Sequence, residues 1–374
     1  MSLENIRLMR SMCQRVPFNV LKLAMREADI SIPRGGIAVL QKQLEELALD
    51  KTTDPKTIAF LSAFYTNYLS FGDKTVSFAS MEENVLSDFL SKLESIKCEV
   101  NKDSINYPYF DEDTDNILNH EQKLTDISIQ DESVLLTFAS LRALVETVEI
   151  DVGYFNQINA ANPFPKELYD IKAKKKVFKR YYDQVFINTK TSQIELRLDT
   201  ASVVSKKDLE ESFRALQEAF VSIVRKTTKS EELKIKTANI FKAVPGSYEF
   251  SDKRVCELGF LVGDVIHHEK MRATKRDLRN ELFHQGGKNN IELTKHDLTV
   301  FRIALRARKT FGEGIYETEA YMPGLAKMVA SATPPCLNYV IISNCICAED
   351  YKQHVESVHD YISKYEAHLL NLTP

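Results

Sequence analysis

Apolar residues recur at three- and four-residue steps through much of this chain. Leu21, Ala24, Met25 and Ala28 predict a helix over Phe18 to Ala28. A turn-rich stretch, Asp29 to Gly36, interrupts it before Ile37, Leu40, Leu44 and Leu47 resume the period. Two helices joined by a turn would suit a DNA-reading helix-turn-helix. Gln41, Lys42, Gln43, Glu45 and Glu46 make the second one too acidic for a groove reader, so the pair reads as a packing hairpin. The pattern predicts further helices over Asp54 to Leu69, Glu82 to Ile96 and Ser140 to Ile150, with a strand over Lys74 to Ala79. Between them Asn101 to Asp131 is polar and acidic, the composition of a surface loop or a flexible segment.

A boundary falls near Asn162 to Pro165. Beyond it, Lys179 to Ile187 and Gln193 to Leu198 read as strands joined across Asn188 to Ser192. From Ser205 the spacing predicts four helices. The first carries Leu209, Phe213, Leu216, Phe220, Ile223 and Val224, and the second runs from Ser230 to a stop at Pro245 and Gly246. The third carries Val255, Leu258, Leu261, Val262, Val265 and Ile266 and continues or bends into Thr274 to His284. The fourth starts at Thr294 and carries Leu298, Phe301, Ile303 and Leu305. A strand over Leu337 to Ile346 and an amphipathic helix from Tyr351 to Leu369 close the chain. The expected fold is α+β and mainly helical, in four parts. These are a mixed, partly acidic N-terminal domain (1–165) that would sense or regulate, a β-hairpin segment (166–204), a helical bundle (205–311) and a C-terminal strand and helix (312–374).

The 374 residues hold 49 Lys plus Arg against 53 Asp plus Glu, a net charge of -4 that argues against a polyanion partner. Resolved along the chain, that sum hides two opposed blocks. Met81 to Asp151 holds 17 acidic and five basic residues, whereas His267 to Lys309 holds 11 basic and five acidic ones. A smaller basic run, Lys172, Lys174, Lys175, Lys176, Lys179 and Arg180, precedes Tyr181 and Tyr182. No apolar run approaches the roughly 20 residues of a membrane span, and the first residues lack a signal-peptide pattern. Six scattered cysteines fit reduced thiols, so a cytoplasmic protein is expected.

Within the basic block, Arg279 and Asn280 are followed at a short spacing by His284, then Gly286 and Gly287. An Arg, a polar residue and a His placed so in a helical bundle resemble the motif of the HEPN superfamily, over about Ser205 to Lys309. On a helix Asn280 and His284 share a face, and Arg279 lies about 140° from His284 but is long enough to reach it. His can move a proton near neutral pH, and Arg can offset charge growing on a phosphoryl group. The resemblance implies a metal-independent endoribonuclease without cofactor, working as a dimer in toxin or anti-phage defence. Arg279 would contact the phosphate, His284 would act as acid or base, and Asn280 would orient it. Lys270, Arg272, Lys275, Arg276, Arg302, Arg306 and Lys309 would form a track for RNA, or for DNA. The acidic stretch Asp103 to Glu132 could then mask that track.

Other readings stay open. A non-catalytic nucleic-acid-binding subunit of a larger assembly would use the same basic residues, and a scaffold would use the amphipathic helices as an interface to a partner protein. Arg279 and Asn280 could equally cap a helix or bridge to Asp277 or Glu281. Cys336, Cys345, Cys347, His354 and His359 lack the paired spacing of a zinc site and read as structural groups, so no metal is expected.

Overall fold

Asp54 accepts a hydrogen bond from the Lys56 amide (2.9 Å) and Pro55 opens the helix behind it, so the helix Pro55–Phe71 starts where its sequence offers a cap. It is the fourth of four N-terminal helices, after α1 (Ser2–Arg15), α2 (Phe18–Glu27) and α3 (Ile37–Leu49). Their apolar stripes meet in one cluster with Leu8, Met12, Leu21, Leu40, Leu44, Leu61 and Tyr65, which also takes in Ala139 and Tyr182 from the sheet. The computed structural model describes residues 2–97, 100, 107–110, 121–150, 171–200, 206–272 and 276–372.

Among the described residues, one antiparallel sheet of eleven strands forms the core of the fold, which overturns the mainly helical expectation. Its strands are β1 (Lys74–Ser80), β2 (Lys123–Gln130), β3 (Ser133–Glu149), β4 (Lys172–Asn188), β5 (Ile194–Leu198), β6 (Lys236–Thr237), β7 (Arg254–Val262), β8 (Val265–Lys270), β9 (Leu298–Phe311), β10 (Gly314–Met322) and β11 (Val340–Ser343). They lie in the order β2-β3-β4-β5-β1-β11-β10-β9-β7-β8, with β6 beside β1. The hairpin expected across Asn188 to Ser192 forms, with Ile187 opposite Ile194.

Alternation along β4 sorts the layers. Tyr182 joins the cluster of the N-terminal helices. Val185 and Ile187, of the opposite parity, join a second cluster under Glu83–Ser91 and Lys206–Thr228, where Phe89 and Phe220 meet edge to face at 5.8 Å. A third cluster sets the helices Ala243–Phe250 and Ala348–Leu372 against β1, β7 and β9 to β11.

Among the described residues the expected C-terminal helical bundle is therefore absent. Strands β7, β8 and β9 stand where its third and fourth helices were expected. A bulge explains the misleading period. The register of β7 against β9 shifts between Val255 and Glu257, with the extra residue on β7, so the buried Val255 and Leu258 fall three apart, as they would on a helix. Gly263, at φ +56°, then turns the chain so that Val262 pairs with Val265. Pro245 and Gly246 do not end a helix but sit inside Ala243–Phe250. Ser140 to Ile150, expected as a helix, is mostly the outer half of β3. The helix over Lys206–Thr228 and the C-terminal strand and helix are present as elements.

Candidate nucleic-acid interface

The residues of the Arg-Asn-x-x-x-His run are arranged for structure. Leu278–Asn280 forms a single 3-10 turn, whose Asp277 accepts from the Arg279 amide at 2.9 Å. The Arg279 guanidinium is committed: Nε and Nη2 donate to Asp277 at 3.0 and 2.7 Å, Nη1 donates to the Tyr248 carbonyl and Nη2 to that of Lys253, each at 3.1 Å. His284 lies in the next helix, Leu282–Leu293, and is 4% exposed. Its Nδ1 is 2.7 Å from Glu269 Oε2 and its Nε2 is 2.9 Å from the Tyr248 hydroxyl, so both ring nitrogens are spent. Asn280 is exposed. Arg279 and His284 are thus brought together around Tyr248, but as parts of a buried clamp.

The expected phosphate track is dispersed. Lys270 pairs with Glu257 at 2.7 Å and Arg306 with Glu319 at 2.7 Å, while Arg302 donates to the Gly324 carbonyl at 3.1 Å. Lys309 has the opposite parity on β9 from Arg302 and Arg306, and turns to Asp350 and Gln353 of the C-terminal helix. Arg276 reaches Glu281 at 3.6 Å, Arg272 is exposed, and Lys275 lies outside the described residues. The physical reason is the change from helix to strand: alternation sends neighbours in sequence to opposite faces, and the carboxylates of β7 and β10 lie across from the cations.

A different basic surface is assembled instead. β2 pairs with β3 only as far as Ala139, and β5 pairs with β4 only over Gln184 to Ile187. The two long strands nevertheless stay paired from Ser140 opposite Tyr181 to Glu149 opposite Lys172. Among the described residues no further strand flanks this stretch, which forms a two-stranded ribbon about 30 Å long at the usual rise per residue. It holds seven basic residues and two acidic ones. Lys172, Lys174 and Lys176 share one face at two-residue steps, with Phe178 beyond them in the same row. All three lysines are exposed, as are Phe178 (51%) and Val145 (66%), and the Lys176 ammonium stands 5.3 Å from the Phe178 ring centroid. Lys175 and Lys179 are exposed on the other face.

The foot of the ribbon is held by buried charge. Tyr181 lies between the guanidinium groups of Arg142 (4.5 Å) and Arg15 (5.0 Å). Arg180 is buried and donates to the Tyr109 carbonyl at 3.1 Å. Asp199 accepts from Lys74 Nζ at 2.9 Å, from the Tyr182 amide at 3.0 Å and from Arg15. Burial alone would raise its carboxyl, but Arg15 and Lys74 hold it down at about 2. Asp183 takes Arg142, Gln122 (2.6 Å) and the Asp199 amide (2.9 Å). The foot of the ribbon is therefore tied to β1, β5 and the first helix by paired, largely buried charges.

The sequence held a signal for this site. The run from Lys172 to Arg180 was conspicuous, but a strand beginning only at Lys179 left its lysines without a shared face. Among the described residues, no group of three or more His, Cys, Asp and Glu side chains could hold a metal. Cys345 is buried, His354 bonds Thr318 (2.8 Å), and His359 meets Gln193 (2.6 Å). No helix among the described residues is long and apolar enough to cross a membrane. The segment Asp103 to Glu132, expected to mask the basic block, includes β2, an edge strand of the sheet; its residues 103–106 and 111–120 lie outside the described ones. No protein-family model matches the chain, and no curated protein matches it.

Proposed function

We propose that this protein binds nucleic acid through the β3–β4 ribbon, without a cleavage step at Arg279 and His284. The observation that carries the reading is the row of exposed Lys172, Lys174 and Lys176 on one face of a ribbon that extends past its neighbours. A two-stranded ribbon is narrow enough for the major groove of duplex DNA. Lysines at two-residue steps can follow a phosphate backbone, releasing one counterion per contact. Exposed Phe178 favours a second substrate form, single-stranded RNA or DNA, whose unstacked bases can lie on an aromatic ring.

The test is binding of labelled duplex DNA and single-stranded RNA at several salt concentrations. Each phosphate contact contributes about 0.9 to the slope of log affinity against log salt on duplex DNA, so Lys172→Ser, Lys174→Ser and Lys176→Ser together should lower that slope by about 2.7. Phe178→Ser should weaken single strands more than duplex. Equal affinity and slope in the triple variant would refute the reading.

A further inference from the structure

The sheet carries a cavity of about 710 Å³ between the helix Lys206–Thr228 and strands β1, β5, β9, β10 and β11, away from the ribbon's lysine row. That volume lies in the range of small-molecule sites. One wall is aromatic, with the Phe213 and Tyr339 rings 6.2 Å apart and tilted by 36°, and Tyr321 also lines it. Arg302 enters from β9. Its Nε is held by the Gly324 carbonyl, but it forms no ion pair among the described residues, unlike Arg254 with Glu317 and Arg306 with Glu319 on the same sheet. Ser77 on β1 is 4% exposed and lines the cavity, and its hydroxyl takes no partner among the described residues. The neighbouring Thr75 hydroxyl, by contrast, is spent on the Thr200 carbonyl at 2.7 Å.

A hydroxyl that opens to the cavity without a protein partner and a cation without a carboxylate, beside two aromatic rings, form an incomplete set of interactions. A flat ring would fill the space against Phe213 and Tyr339, an anionic group would satisfy Arg302, and a polar edge would meet Ser77 and Asn338. Glu210 and Glu218 also line the cavity and favour a ligand whose remaining groups are donors, such as sugar hydroxyls. We infer that this cavity is a binding site for a small planar anion, with a nucleoside monophosphate as the best match. An aromatic carboxylate shares the ring and the charge but lacks the sugar donors. The site is independent of the ribbon and of its proposed role.

Cys336 lines the same cavity, is exposed, and has its thiol 3.0 Å from Asn338 Oδ1. Its alkylation by a maleimide, followed at that peptide by mass spectrometry on the full chain, reports occupancy. Adenosine and guanosine monophosphates at millimolar concentration should slow the reaction several-fold, and ribose 5-phosphate should not. Protection by 2-naphthoate equal to that of the nucleotides would assign the site to carboxylates within the same class. Arg302→Gln should raise the nucleotide concentration needed by about 10-fold, the effect of losing one charge-assisted hydrogen bond. Ser77→Ala, which adds no volume, should raise it by a smaller factor. Unchanged alkylation with the nucleotides and with naphthoate, or undiminished protection in Arg302→Gln, would overturn the inference.

Discussion

The Tyr248 hydroxyl lies 2.9 Å from Nε2 of His284, while the carbonyl of the same tyrosine takes Nη1 of Arg279 at 3.1 Å. One residue thus closes both ends of a clamp, and the chemistry expected of the pair becomes a matter of stability. Removing Arg279 strands the Asp277 carboxylate and two carbonyls, so Arg279→Ala should cost about 2–4 kcal/mol. His284→Ala should cost about 1–3 kcal/mol by exposing the needs of Glu269 and the Tyr248 hydroxyl. Urea unfolding measures both. Loss of an RNA-cleaving activity with unchanged unfolding midpoints would contradict this assignment.

The paired cations of β8 and β9 should be silent in nucleic-acid binding. Lys270→Gln and Arg306→Gln each leave a carboxylate behind on the sheet, at Glu257 and Glu319. Neither should change the salt slope measured for the ribbon. A decrease of about 0.9 in either variant would restore that face as a phosphate track.

His354 should make the fold sensitive to acid. Burial, helped by the nearby Lys253 and Lys309, lowers its pKa from 6.5 to about 3; its Nδ1 accepts from Lys253 Nζ at 3.4 Å, and its Nε2 is 2.8 Å from the Thr318 hydroxyl. Between those values the unfolded chain takes up a proton that the folded chain refuses. Stability contributed by neutral His354 is therefore present above pH 6.5 and is lost as the pH falls, by up to about 1.4 kcal/mol per pH unit. His354→Gln keeps a neutral polar group, so its unfolding midpoint should fall less between pH 6.5 and pH 4 than that of the wild type. Parallel pH curves would rule the histidine out.

Lys253 works in the same direction at alkaline pH. Burial lowers its pKa from 10.5 to about 8, with the ammonium 2.8 Å from Ser357 Oγ. The folded chain releases a proton first, so stability should rise between pH 8 and pH 10.5. Lys253→Met should remove that rise, which denaturation across this interval would detect.

Asp199 sits between Lys74 and Arg15 with all three side chains largely buried. Asp199→Asn leaves two cations in the core and should cost about 3–5 kcal/mol. Gly246 offers a steric counterpart: a Cβ there would lie 2.3 Å from the Tyr361 carbonyl, so Gly246→Ala must push the C-terminal helix away from Ala243–Phe250. Faster amide exchange over Tyr351 to Tyr365 is the expected sign.

The N-terminal helices were legible because each buries one stripe against its neighbours, as Leu40 and Leu44 do. The hairpin at Asn188 to Ser192 was legible from its turn residues. The sheet was hidden for two reasons. A bulge in β7 gave Val255 and Leu258 a helical spacing, and the outer part of β3 has Leu141, Val145 and Val148 at helical intervals, of which Leu141 packs against the N-terminal helices while Val145 is exposed. β9 did carry its signal, since Phe301, Ile303 and Leu305 alternate with Arg302, Ala304 and Arg306. The clamp at Tyr248 was unreadable: Tyr248, Glu269, Arg279 and His284 are joined by folding across 36 residues.

β1 is an early strand with late company. Its neighbours along the sheet are β5 and β11, and the second of these begins only at Val340. On the ribosome, Lys74 to Ser80 would therefore emerge well before one of the partners that cover its edges, leaving open the amides and carbonyls of a segment that is buried in the fold. Nascent chains stalled before Val340 should engage a holding chaperone, and full-length ones should release it.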